Sequence, residues 1–204
     1  MIVAGSAAGI LLEIDKFMIP QLEQIAEVAY YSVGIYIASV IAIPTRAMQH
    51  ITSPITAKGM NMDEREEVGK LYGQTSINLL VVGGFLFLCI NLNISDLYEL
   101  INKPQFAKGV WVVLIVSFAK MIELAVGTGN AILVNSKYYR VFFYLSLAMA
   151  LSVILLNQWL IGILGIDGAA VATLIVVALY SFIKIFYIKN KLHMQPFTIK
   201  TVKL

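Results

Sequence analysis

Charge is scarce in this chain. Only 13% of its 204 residues are Asp, Glu, Lys or Arg, against 59% apolar, and the mean hydropathy is +0.83. Soluble domains carry about 25% charged and about 45–50% apolar residues, so a soluble fold is excluded. Cysteine is nearly absent as well. Cys89 stands alone in an apolar run, which rules out an intramolecular disulfide and reads as a small apolar filler. Motifs of soluble chemistry are missing: there is no Walker loop, HExxH, GxSxG or Cys/His cluster with metal spacing. No metal or cofactor is therefore expected, and no enzymatic activity. The net charge of +3 is spread along the chain rather than gathered into a patch, which argues against nucleic acid as a partner. Residues 1–12 are apolar but lack a basic leading region, so no cleavable signal peptide is expected.

What is present is length of apolar sequence. A helix needs about 20 mostly apolar residues to cross a bilayer, and such runs recur. Outer-membrane barrels show alternating segments of about ten residues instead. The reading is an all-α, polytopic membrane bundle of six spans: residues 1–19, 29–56, 71–93, 107–134, 139–160 and 163–188. Residues 1–192 form the membrane lobe and 193–204 a basic tail. "MNMDEREEVGKLYGQ" fits a short amphipathic helix on the membrane surface. The first span starts already apolar at Met1 and holds its charges, Glu13, Asp15 and Lys16, in its last third. That pattern is expected of a longer protein entered partway.

Alternate loops divide the basic residues unequally. One set holds Lys58, Arg65, Lys70, Lys137, Arg140, Lys189, Lys191, Lys200 and Lys203; the other holds Lys103 and Lys108. By the positive-inside rule the first set is cytoplasmic, with both ends of the segment inside a bacterial inner membrane. Tyr30, Tyr31, Tyr98, Trp111, Tyr138, Tyr139 and Trp159 suit interfacial anchors.

Charges inside the spans call for an explanation. In the fourth span Ser117, Lys120, Glu123, Gly127 and Asn130 share a helical face. In the second, Ser32, Tyr36, Ser39, Arg46, His50 and Ser53 do the same, with Ile43 the apolar exception. A charge at bilayer depth costs about 2.5–3.5 kcal/mol on insertion scales, so these stripes face water or each other. Arg46, Lys120, Ser39 and Asn130 are candidate cavity residues, and Glu123 and Asp15 candidate ion-coupling acids. The competing readings are a buried clamp for Lys120–Glu123 and snorkelling of Arg46 and His50 to the headgroups. Pro44 is expected to kink the second span beside Arg46. The glycines at 127, 129, 162, 165 and 168 read as close helix packing.

"GSAAGILLEIDKFMIPQLEQIAEVAYYSVGIYIASVIAIP", "NSKYYR" and "LGIDGAAVATLI" resemble, in order and spacing, the C-terminal lobe of polysaccharide-exporting flippases, relatives of the multidrug and toxin extruders. The resemblance covers nearly the whole chain but only one of the family's two lobes. It implies a two-lobed alternating-access transporter flipping undecaprenyl-diphosphate-linked oligosaccharide between leaflets. Arg46 and Lys120 would meet the anionic carrier, and Glu123 or Asp15 would couple an ion. The partners implied are that anionic lipid-linked oligosaccharide, membrane lipids and a missing N-terminal lobe, in the same protein or a second chain. Two alternatives stand beside it: a cation-coupled multidrug extruder, and a non-transporting membrane scaffold.

Overall fold

A computed structural model describes residues 14–22, 25–102 and 104–197. Residues 1–13, with Glu13, lie outside the described residues, as do Lys103, Lys200, Lys203 and the side chain of Lys16. The described residues are mostly helical and contain no strand. Its helices are α1 (Ile14–Leu22), α2 (Ile25–Ser39), α3 (Ile43–Asn61), α4 (Arg65–Leu100), α5 (Val110–Ala125), α6 (Gly129–Val134) and α7 (Tyr139–Leu192). Three helical stretches are long and apolar enough to cross a membrane: Glu27–Asn61, Arg65–Leu100 and Tyr139–Leu192.

Proline and glycine set where these helices bend. Between α2 and α3 the chain tightens into a 3₁₀ turn over Val40–Ala42, and Pro44 follows within the first turn of α3. Pro44 has no N–H to offer, and the carbonyl of Val40 accepts from Ile43 instead. The departure from α-helical hydrogen bonding thus falls at Val40–Ala42, just before the proline.

The expected fourth span is not one helix. It begins as a 3₁₀ segment at Pro104–Gly109, continues as α5, turns at 126–128 and ends as α6. Gly127 makes the turn with a left-handed φ of 52°. A Cβ there would stand 2.4 Å from Ser76 Oγ. Gly127 was expected to serve close packing and does so against Ser76 of α4, while its left-handed φ also shapes the turn between α5 and α6.

The fifth and sixth spans meet without a loop. Gly165 (φ 60°, ψ −138°) is the one non-helical residue inside α7. Ser152 Oγ lies 3.2 Å from Tyr180 Oη across the two halves, so they run side by side as an antiparallel hairpin. A Cβ on Gly168 would meet the Leu160 carbonyl oxygen at 2.1 Å, so this glycine does permit close packing. Gly162 does not: nothing lies within 4 Å of its Cβ position.

The expected surface helix over 60–74 is also replaced. Asp63 breaks the chain with a left-handed φ of 58°, and α4 starts at Arg65 and runs unbroken to Leu100. Acidic Glu66 and Glu67 in its first turn complement the helix dipole.

α5 is the centre of the bundle, packed by α2, α4 and α7. Toward one end, Ile19, Tyr31, Val112, Val116, Ile161 and Ala169 bury one another. Toward the other, Val68, Tyr72, Ile132, Leu133, Ile188 and Leu192 do so, joined by Met194. That second end carries Lys58, Lys137, Lys189 and Lys191 and is called the basic end below. At the start of the expected basic tail, after a left-handed His193, Met194 packs onto the bundle.

Candidate functional site

Two polar features interrupt the apolar bundle. The first is enclosed. Asp15 in α1 is buried to 3% exposure. Tyr31 Oη in α2 donates to its Oδ2 at 2.7 Å, and Thr173 Oγ1 in the second half of α7 donates to the same oxygen at 3.1 Å. Asn157 Nδ2, in the first half of α7, donates to Oδ1. One carboxylate therefore ties together four helical segments. A buried ionised group is tolerated only when hydrogen-bonded on its free lone pairs, and three donors achieve that here. Asn157 is fully buried, and its Oδ1 has no hydrogen-bond partner among the described residues. A phenol, a hydroxyl and an amide N–H thus converge as donors on one carboxylate. Such a set can hold a proton or a small hard cation. Among the described residues no group of three His, Cys, Asp or Glu side chains forms a metal site.

The second feature is open. Arg46, Gln49, His50, Ser53 and Pro54 line a shallow groove of about 440 Å³ along one face of α3. The opposite face of the same helix buries Thr52, Thr56 and Gly59. Arg46, Gln49 and His50 are exposed on α3, the less apolar half of the span-length stretch Glu27–Asn61. Of the expected second-span stripe, Ser39 spends its hydroxyl on its own helix, donating to the Tyr36 carbonyl at 2.7 Å.

The fourth-span stripe divides. Ser117 is fully buried, and Gly127 is buried against Ser76. Lys120 Nζ donates to Glu123 Oε2 at 2.9 Å; the lysine side chain is 22% exposed and the glutamate 45%. Asn130 is half-buried at the start of α6, with Oδ1 unpartnered among the described residues. Asp15 lies apart from both stripes, among residues of other helices.

Sequence reasoning missed Tyr31, Asn157 and Thr173 as partners of Asp15, and Lys184 as a further charge inside the spans. Lys184 was visible as a lone cation in the apolar sixth run. It is half-buried, with Nζ 5.6 Å over the Phe142 ring and within electrostatic range of Glu123.

No protein-family model matches the chain, and no curated protein matches it. A solved structure does: the outward-facing conformation of a multidrug resistance MATE family transporter of the MOP superfamily. The likeness has a TM-score of 0.72 at 18% identity and covers 98% of this chain. The chain spans 45% of that transporter's length. At this identity the similarity is one of fold. The chain has the fold of rather less than half of a MOP-superfamily transporter, in helices suited to a membrane.

Proposed function

We propose that the chain is one lobe of an alternating-access transporter that carries an anionic lipid-linked oligosaccharide, on an undecaprenyl-diphosphate carrier, across a bacterial inner membrane. The observation that carries this reading is the exposed Arg46–Gln49–His50 face, with half-buried Ser53 beside it, on a span-length helical stretch. Polar groups there are costly against lipid, so the face belongs to a water-filled cavity. Alternating access needs two halves about a central site, and the partner is a second lobe in the same protein or a second chain. Arg46 supplies a fixed cation for the diphosphate, and Lys120 a second one at greater depth. Asp15 is the ion-coupling acid: uptake or release of one proton or cation there would loosen or tighten the contact between α1, α2 and α7. Glu123, already committed to Lys120, is the weaker coupling candidate. Both ends of the segment lie on the cytoplasmic side, with the basic end inward.

A drug extruder of the same superfamily is the second reading, favoured by the multidrug transporter whose fold is similar. The lining of the α3 groove argues for the anion, because it holds Arg46 and no carboxylate. The test is export in the complete protein. Arg46→Ala and Lys120→Ala should each reduce export of lipid-linked oligosaccharide at unchanged membrane level. Normal export in both, with lost resistance to cationic drugs in Asp15→Asn, would decide for the extruder.

A further inference from the structure

The residues that α3 buries are all small: Thr52, Thr56 and Gly59. Its large apolar side chains Ile43, Ile51 and Ile55 are each more than half exposed. The rest of the bundle is held by interlocking Ile, Val, Leu and Tyr side chains. α3 is fixed at its ends. A Cβ on Gly59 would stand 2.6 Å from Val68 Cγ2, and Ile41, just before α3, is buried with Leu79 and Leu124. The Gly59–Val68 contact sets the register of the antiparallel pair α3 and α4. One turn away from it, Thr56 of α3 comes level with Tyr72 of α4; one turn further, Thr52 comes level with Ser76. Thr56, Tyr72 and Ser76 are fully buried, yet Thr56 Oγ1, Tyr72 Oη and Ser76 Oγ have no hydrogen-bond partner among the described residues. Thr52 spends its hydroxyl on the Met48 carbonyl of its own helix at 2.8 Å. Hydroxyls thus stand on both sides of the α3–α4 interface without a bond between them. Where α4 meets α6 the same kind of side chain does bond, with Thr75 Oγ1 3.3 Å from Thr128 Oγ1.

A buried hydroxyl without a partner is costly, and packed helices occupy discrete seats rather than sliding continuously. Facing hydroxyls left open in one seat can bond in a neighbouring one, about 1–2 Å away, the usual scale of such helix shifts. We propose that α3 has two seats on α4, and that in the second Thr56 Oγ1 and Tyr72 Oη share a hydrogen bond. Small residues at the interface let the helix move without unlocking interdigitated side chains, and the 3₁₀ turn at Val40–Ala42 absorbs the displacement. α3 also carries the groove lined by Arg46 and His50, so the shift would reshape it. That use rests on the transport reading; the movement itself does not.

The test follows fluorine resonances of the full chain in lipid nanodiscs, without substrate. Cys89→Ala removes the native thiol, and a trifluoromethyl label is attached through Ile51→Cys, at an exposed position on α3. A control label is attached through Phe182→Cys, exposed on α7. The α3 label should show two resonances and the control one. Thr56→Val keeps the shape and loses the hydroxyl, so it should move the ratio of the two about five-fold toward one of them, as expected for one neutral hydrogen bond. Tyr72→Phe should move it the same way, and Thr56→Ser should keep the original ratio. The double variant should move it no further than either alone, because both remove the same bond. A single α3 resonance, a ratio that ignores Thr56→Val, or additive effects in the double variant would overturn the proposal. Two seats in a protein that exports nothing would leave the movement standing and count against the transport reading alone; a single seat in a protein that exports would do the opposite.

Discussion

Tyr31 Oη donates to Asp15 Oδ2 at 2.7 Å across a separation of 16 residues, with both side chains buried. This contact fastens α1 to α2. A hydrogen bond to a charged group is worth about 1.5–3 kcal/mol. Tyr31→Phe should therefore lower the thermal midpoint in detergent clearly. Asp15→Asn should lower it at least as much, because the amide keeps one acceptor for Tyr31 and Thr173 but turns a donor toward the Asn157 amide. A smaller loss in Asp15→Asn than in Tyr31→Phe would contradict the idea that three donors serve the carboxylate.

Gly168 and Gly162 stand less than two turns apart in sequence and make opposite predictions. A Cβ at 168 would press into the Leu160 carbonyl at 2.1 Å, and backbone cannot step aside. Gly168→Ala should cost about 3 kcal/mol or more, seen as loss of folded protein after membrane extraction. Gly162 meets nothing within 4 Å. Gly162→Ala should be neutral or gain about 0.5–1 kcal/mol from helix propensity.

Gly127 combines a φ of 52° with Ser76 Oγ at 2.4 Å from its Cβ position. Gly127→Ala carries a left-handed penalty of about 1–2 kcal/mol before any clash. Ser76→Ala in the same chain should recover only part of the loss, because the Ser76 amide nitrogen also stands at 3.0 Å. Full recovery in the double variant would show that the backbone adapts.

Thiol accessibility separates a cavity face from a lipid face. Cys89 is exposed and is first replaced by alanine. Cysteines placed at 46 and 50 should then react with a membrane-impermeant charged reagent in the complete assembly. A cysteine at Val116, which is buried, should stay silent. Silence at 46 and 50 as well would turn the α3 stripe into a helix-to-helix contact and favour a scaffold.

The helical class and the apolar runs were legible because bilayer-length hydrophobicity is a local property. Asp15 was legible as an acid out of place. Its partners were not, since Asn157 lies 142 residues away and Thr173 lies 158 away; only tertiary packing brings them to one carboxylate. The turn at Gly127 was hidden because a glycine that adopts a left-handed turn and a glycine that only lets helices touch look the same in a sequence, and Gly127 does both. Gly165 shows the same limit, since its positive φ comes from the hairpin it closes. The α3 stripe was readable from period alone, and its exposed face agrees for Arg46 and His50. Ser39 is different: its hydroxyl is absorbed by its own helix, an outcome that spacing does not reveal.

The hairpin within α7 has a consequence for where the chain tolerates an insertion. Its two halves are joined by one non-helical residue, Gly165, and share the Asp15 carboxylate through Asn157 and Thr173. Little slack remains for either half to shift against the other. An epitope tag or protease site placed at 164–166 should therefore disturb the Asp15 contacts, whereas one placed in the turn at 62–64 should leave them in place.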